Sequence, residues 1–321
     1  PPPPPPPTTP QRASRRQRQM CIRDRCPADL DIAGFTYEVA SGDTHRAMEI
    51  ILDKLALPGS LGRICPRLCE QGCRRCDLDE GLAIAHLHRY PADLNRGSTK
   101  PYLPPRAKPS GKSVAIVGAG PAGLAAAFYL LQKGHACTLY DAQSHPGGLL
   151  RYGIPSYRLP KDALDAEIEA IRGLGARFRM SSTLGIDFTL DDLRQSNDAV
   201  FLAIGAWRSQ SLRCEGEQLA FSGIELLEKV AKNQSPSLGD KVVVVGGGNT
   251  AMDAARTAVR LGASEVKVIY RRSRQEMPCL MEEVEEAEHE GVVIDLLVAP
   301  IRLEKTTNGL LELTCQRMEL G

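Results

Sequence analysis

Twice in this chain a short apolar run ends in a glycine-rich turn that opens a helix, and a second apolar run follows the helix. Val114–Val117 leads into Gly118-Ala-Gly120-Pro121-Ala122-Gly123, with a helix predicted over Ala122–Gln132 and a strand over Ala136–Tyr140. Val242–Val245 leads into Gly246-Gly-Gly248-Asn249-Thr250-Ala251, with a helix near Ala251–Leu261 and a strand over Val266–Tyr270. Strands alternating with helices predict parallel sheets joined by right-handed crossovers. Two such units predict an α/β fold with two dinucleotide-binding, Rossmann-like domains, which 321 residues are enough to build.

The two turns differ in chemistry. In the first, the glycines permit a tight turn, close approach of backbone to a pyrophosphate and close helix–strand packing, with the phosphates at the positive end of the helix. Asp141 ends the next strand, where a carboxylate can bond a ribose hydroxyl. In the second, Ala251 replaces the third glycine, and Arg271 and Arg272 stand where the first unit has Asp141. A guanidinium pairs with a 2′-phosphate that a carboxylate would repel, so NADPH is favoured over NADH there. Two unlike sites suggest FAD in the first and the nicotinamide donor in the second. Gly147 and Gly148 lie just past Asp141 in a loop able to approach a flavin. The run from Asp198 to Ala206, with Gly205, resembles the strand and turn that lead from the flavin unit in two-dinucleotide flavoproteins, although Ile204 replaces the usual Thr.

Upstream the pattern is different. From Cys26 to residue 95 it is helical, with Ala47, Ile50, Ile51 and Leu55 on one predicted face, and the chain then enters Cys65-Pro-Arg-Leu-Cys69-Glu-Gln-Gly-Cys73-Arg-Arg-Cys76. Thiolates are soft ligands for iron–sulfur clusters or zinc, and the spacing matches no common zinc finger. The proline-rich residues 96–112 read as an extended linker, 113–238 as a first dinucleotide domain and 239–321 as a second. Residues 1–25 open on seven prolines, then Thr-Thr-Pro and a run of Arg and Gln, without hydrophobic period. They are expected to be disordered and non-native, with Met20–Arg25 resembling a translated sequencing adapter, which demotes Cys21.

A net charge of +1 gives no field steering the chain to nucleic acid or an anionic membrane, and no stretch has the apolar length of a membrane span. With no signal-peptide pattern, a cytoplasmic location is expected, where clustered thiols serve metals rather than disulfides.

The segment Gly62-Arg-Ile-Cys-Pro with its following cysteines, the upstream Cys26-Pro, both glycine turns and Tyr270-Arg-Arg with Met277-Pro278 occur in one order. Together they resemble the small subunit of NADPH-dependent glutamate synthase, a family that includes the electron-input region of dihydropyrimidine dehydrogenase. The resemblance runs from Cys26 to the end. It implies an oxidoreductase in which NADPH reduces FAD and electrons leave through [4Fe–4S] to a large subunit, a ferredoxin or a fused domain. It also implies a ligand set of Cys26, Cys65 and Cys69, with His88 where relatives carry Gln or Glu, and Cys73 on a second cluster whose other ligands are not in this sequence. Cys76 is open between ligand and bystander.

No catalytic side chain is expected, because the cofactors carry the chemistry. Glu282, Glu283, Glu285, Glu286 and Glu288 read as a solvated helix face. The resemblance also implies a late return to the first dinucleotide domain, absent before Gly321, so the native protein is expected to be longer. The unfinished domain is expected to expose sheet edge, and the isolated chain to aggregate or bind flavin poorly. Two other readings stay open: a non-catalytic iron–sulfur or zinc docking fragment, and a disulfide reductase, which would need a redox cysteine pair among Cys137, Cys214, Cys279 and Cys315.

Overall fold

The computed structural model describes residues 25–234 and 236–319; Cys21 and the rest of the stretch before Arg25 lie outside the described residues. The N-terminal module opens with α1 (Ile32–Ser41) and α2 (Thr44–Lys54). Both start where an aspartate side chain satisfies an orphan backbone donor: Asp31 accepts from Gly34 N–H and Asp43 from Arg46 N–H. Gly42, left-handed at φ 85°, ends α1. Of the face predicted for α2, Ala47, Ile51 and Leu55 are buried against Leu30, Ile32 and Phe35, with Ile50 partly buried.

Next come α3 (Pro58–Ile64), α4 (Leu68–Gln71), a 3-10 turn (Arg74–Asp77) and α5 (Ile84–Gly97). Helices α3 and α5 pack closely because Gly62 has no side chain: a Cβ there would stand 2.5 Å from Arg89 Cβ and 3.1 Å from the Ala85 carbonyl. Arg63, at the end of α3, reaches both carboxylate oxygens of Asp93 on α5, at 3.0 and 2.9 Å.

The following stretch is extended, as its prolines predict, but it is no free tether. Tyr102 N–H donates to Asn95 Oδ1 at 2.6 Å, Ala107 N–H to the Gln132 carbonyl at 2.8 Å and Ser110 N–H to the Gly134 carbonyl at 3.0 Å. It leads into the first parallel sheet, built from β1 (Ser113–Val117), β2 (Ala136–Tyr140), β3 (Arg177–Arg179) and β4 (Ala199–Leu202) in the order β3-β2-β1-β4. Val114 pairs with Cys137 on one side and Ala199 on the other. Helices α6 (Pro121–Gln132), α8 (Lys161–Gly173) and α9 (Leu190–Ser196) belong to this sheet, with Ile116, Leu124, Phe128, Leu139, Leu164 and Ile168 fully buried. Among the described residues β4 has no second neighbour. Phe201 and Leu202 are exposed there, and a cleft of about 320 Å³ lies along the strand, lined in part by Leu190, Arg194 and Val200.

The cysteine module and this sheet together form one compact unit, through Pro146 and again over Lys161–Ala203. The second unit takes Gly147–Pro160 and everything from Ile204. It contains α7 (Leu149–Tyr152), α10 (Gly223–Ala231), β5 (Lys241–Val245), α11 (Asn249–Arg260), β6 (Glu265–Tyr270), α12 (Met281–His289) and β7 (Val293–Leu296), with the parallel sheet ordered β5-β6-β7. An antiparallel hairpin, β8 (Val298–Lys305) and β9 (Leu311–Arg317), follows. Met252, Ala255, Val266, Val268 and Val284 form its buried centre.

The α3–α5 contact gives a direct test. Gly62→Ala should lower the stability of the first unit by about 1–3 kcal/mol, the usual cost of overpacking, measured by chemical denaturation.

Candidate functional site

Both glycine turns are built as the sequence predicts, each with a helix beginning at a residue that has no side chain to cap it. In the first, Gly118 has φ 111°, Gly120 is the N-cap of α6 and Pro121 its first residue. No side chain fits at Gly123, since a Cβ would stand far inside van der Waals contact with the Gly118 carbonyl oxygen. Ala122 occupies the first turn of α6, whose leading N–H groups have no partner within the helix. Asp141 holds the turn from the neighbouring strand: its carboxylate accepts from Ala119 N–H at 2.7 Å and from Gln143 N–H at 2.8 Å. That leaves a cradle of backbone donors with a carboxylate at its edge, which fits a dinucleotide pyrophosphate and ribose.

In the second unit Gly246 has φ 138°, and Gly248 is the N-cap of α11, which starts at Asn249 and continues through Thr250 and Ala251. Asn249 Oδ1 accepts from Leu280 N–H at 3.3 Å, tying this turn to the start of α12. At the end of β6, Arg271 and Arg272 are exposed, and among the described residues neither side chain enters an ion pair, whereas Arg274 pairs with Glu288. Gly147, Gly148 and Gly205 also lie in this unit, all with positive φ. The residues expected to serve FAD are thus divided between the two units.

Helix α11 is held from behind by buried charge. Arg158, from the Gly147–Pro160 excursion, puts Nη1 2.7 Å from Asp253 Oδ2, and both side chains are almost wholly enclosed. Its Nε lies 2.7 Å from Glu283 Oε1 but is not aligned for a hydrogen bond. Arg256 continues the network to Glu283, Glu286 and Glu290, and the Tyr157 ring lies against Arg256 and Arg260, 4.6 and 3.9 Å from ring centroid to guanidinium carbon. The acidic face of α12 is therefore not simply solvated as expected: Glu283 is drawn into this network. Burial lifts the Asp253 carboxyl to about 6 against the pull of Arg158.

The cysteine module brings three of the predicted ligands together. Cys26, Cys65 and Cys69 lie close enough to act on one another electrostatically: desolvation and then the neighbouring thiols raise the Cys69 pKa to about 11, and burial raises that of Cys65, with Cys26 adding to it. Arg67 N–H points at Cys65 Sγ, 3.4 Å away. Cys73 is buried; Cys76 is exposed, and its Sγ faces the Glu70 carbonyl. Glu70, beside Cys69, accepts from Ala85 N–H at 2.7 Å and so caps the helix that carries His88. His88 is 4% exposed, its Nδ1 has no hydrogen-bond partner, and burial lowers its pKa to about 4, keeping the ring in the neutral form a metal ligand needs. The groups acting on His88 are the Pro58 carbonyl and His86 rather than the thiols. Among the described residues no three such groups converge as they would around one metal ion. Three neighbouring thiols fit a multi-iron cluster, whose ligands bind different irons, better than one zinc ion; the groups that act on them do not include His88.

The disulfide reading needs a cysteine pair. Cys137 and Cys279 are buried and apart from other cysteines, while Cys214 and Cys315 sense one another across β8. Glu215 bridges to Arg302 on one side of β8 and Cys315 pairs with Pro300 on the other. Two strand spacings, roughly 9.6 Å, exceed the about 7 Å between Cα atoms that a disulfide tolerates.

A family model described as pyridine nucleotide-disulphide oxidoreductase matches residues 112–314. This chain belongs to the pyridine nucleotide-disulphide oxidoreductase family. A second model, for the dihydropyrimidine dehydrogenase domain II with a 4Fe-4S cluster, matches residues 8–100, reaching into the N-terminal stretch. The β subunit of an NADP(+)-dependent formate dehydrogenase of Moorella thermoacetica is 43% identical over 94% of this chain and 46% of its own length. The glutamate synthase [NADPH] small chain of Escherichia coli is 35% identical over 89% of this chain and 64% of its own. The chain thus spans about half the length of curated relatives such as this formate dehydrogenase subunit. Mycobacterium tuberculosis FprA, solved with NADPH, shares the fold at TM-score 0.52, with 18% identity over 65% of this chain and 67% of that one. The chain therefore joins an iron–sulfur domain to a dinucleotide-binding α/β fold, as the sequence predicts. No helix among the described residues is long and apolar enough to cross a membrane.

Missed from the sequence were Arg158, Asp253 and the part played by Glu283. The Arg158–Asp253 pair is 95 positions apart, and no periodicity links its members. Its titration is testable. The folded pKa of about 6 lies above the ordinary 3.8, so the folded state binds this proton more tightly. Asp253 therefore contributes fully to stability below about pH 4, and the contribution is lost as pH rises through about 6. Asp253→Asn should flatten that part of the stability curve, read by urea unfolding across the range.

Proposed function

We propose that this chain is the electron-input portion of a larger NADPH-dependent flavoprotein whose electrons leave through iron–sulfur to a partner protein or domain. The observation that carries the reading is the packing of Cys26 against the core that holds buried Cys69, in the same compact unit as the Gly118–Gly123 turn. When bound, FAD would take a hydride from NADPH and pass its electrons singly to a [4Fe–4S] cluster, chemistry that the cofactors themselves supply.

The protein's part is placement. Gly118, Gly120, Pro121, Ala122 and Gly123 would hold the FAD pyrophosphate, with Asp141 at the ribose, and Gly147, Gly148 and Gly205 would line the flavin. Gly246, Gly248, Asn249, Thr250 and Ala251 would hold the NADPH pyrophosphate, with Arg271 and Arg272 on its 2′-phosphate. Cys26, Cys65, Cys69 and His88 would ligate one cluster, and Cys73 would reach toward a second. No side chain is assigned proton transfer. A reducing cytosol suits nine free cysteines among the described residues. The names of relatives, a formate dehydrogenase subunit and a glutamate synthase small chain, support an acceptor that is another subunit.

The full-length protein, prepared anaerobically with iron, should show flavin and cluster absorption that both bleach with NADPH. A protein containing zinc and no flavin would overturn the reading in favour of a docking fragment. Replacing Arg271 and Arg272 together by alanine should cost NADPH affinity roughly 10- to 100-fold, the scale of a lost charge-assisted pair, and leave NADH affinity unchanged. An equal loss for both nucleotides would remove the arginines from the 2′-phosphate.

A further inference from the structure

Helix α3 lacks a local cap. Its N-cap residue is Leu57, which offers no side-chain acceptor, and Pro58 follows with no N–H of its own. The donors left over are Gly59 N–H and Ser60 N–H, and Ser60 is fully buried. Both are satisfied by one carboxylate more than a hundred positions away, on α8 of the first sheet. Glu167 accepts from Gly59 N–H at 2.6 Å, Ser60 N–H at 3.1 Å and Ser60 Oγ–H at 2.5 Å. Gly59 admits that approach, since a Cβ there would stand only 3.1 Å from Glu167 Oε1.

The carboxylate does more than close a surface gap. Desolvation raises its pKa to about 7, against the hydrogen bonds from Ser60 and Gly59 and the charge of Arg63. The other end of α3 is Cys65, whose N–H bonds the Leu61 carbonyl as the helix C-cap. On the opposite side, α8 packs against α6, the helix of the first glycine turn. One unbroken path of packed helices therefore runs from Gly118–Gly123 through α6 and α8 to Glu167, then along α3 to Cys65. Nearby, Arg96 on α5 meets Asp162 on α8 at 2.7 Å, but that pair is largely exposed and weak.

We propose that Glu167 is the positioning residue that docks the cysteine module onto the first dinucleotide domain and so fixes Cys65 relative to the Gly118–Gly123 turn. The inference rests on the function proposed above. Electron transfer between two cofactors falls steeply with distance, whereas hydride transfer from NADPH to FAD does not run through this seam. Loosening it should slow the step into the cluster and spare the step into the flavin.

The test uses the full-length holoprotein with Glu167→Ala, Glu167→Gln and Ser60→Ala. Stopped-flow absorbance under anaerobic conditions separates flavin reduction by NADPH from the later reduction of the cluster, and hydrogen exchange reads the Gly59 and Ser60 amides directly. Glu167→Ala should slow cluster reduction about 10- to 100-fold, the scale on which small displacements act on positioned reactants. It should leave flavin reduction unchanged and speed exchange at both amides. Glu167→Gln, similar in shape but offering one acceptor oxygen instead of two, should fall between it and the wild type, and Ser60→Ala, which removes one bond of three, should have the smallest effect. Unchanged amide exchange in Glu167→Ala, or equal loss of both rates in the isosteric Glu167→Gln, overturns the proposal. Failure of NADPH to reduce the wild-type flavin overturns the proposed function instead.

Discussion

Unpaired backbone donors at the starts of helices govern much of this molecule. Every helix begins with N–H groups that no carbonyl within it can reach. Helices α1 and α2 satisfy theirs locally, with Asp31 and Asp43. Helix α5 borrows Glu70 from the cysteine segment, and α3 borrows Glu167 from a different layer of the unit. Helices α6 and α11 begin at Gly120 and Gly248 with no side-chain cap at all. The donors capped from a distance, by Glu70 and Glu167, join separate segments, and those left open at the glycine turns suit the phosphates of two dinucleotides.

Buried charge follows the same division between holding and binding. Arg158 and Asp253 are sequestered behind α11, where desolvation opposes their attraction and raises the carboxyl pKa. Asp253 Oδ1 has no hydrogen-bond partner, so the pair is not optimised for stability alone. It ties the Gly147–Pro160 excursion, which begins with the predicted flavin loop, to the helix of the second glycine turn. Arg271 and Arg272, by contrast, stand in solvent with their charge available. A guanidinium buried among carboxylates fixes backbone; one left exposed at the end of a strand can take an anion.

What could be read from the sequence was local. The strands β1, β2, β5 and β6 and both turns follow from apolar runs and glycine spacing, and they fall within two residues of where those patterns put them. The buried face of α2 followed from its period. The seam at Glu167 could not be read, because its partners are 107 and 108 positions apart and each looks ordinary in its own helix. Glu283 was misread for a related reason: an acidic run gives no sign that a buried arginine from a distant loop will face one of its members. The prolines of residues 96–112 predicted extended chain correctly. They did not disclose that hydrogen bonds to Asn95, Gln132 and Gly134 would fasten that chain to the ends of α5 and α6, in the one unit that holds both the cysteine module and the first dinucleotide domain.

That merger bears on how such a protein works. An acid–base enzyme concentrates its polar precision at one reacting bond, whereas a relay of cofactors needs separations held constant over long spans. The polar groups invisible to sequence reasoning here, Glu167, Arg158 and Asp253, sit away from the glycine turns and the thiols, and each joins elements that carry them. Cys65 and Gly123 are connected by packed helices and one triply bonded carboxylate rather than by a flexible linker. The most specific side-chain interactions described here therefore lie in the joints between elements that carry the glycine turns and the thiols.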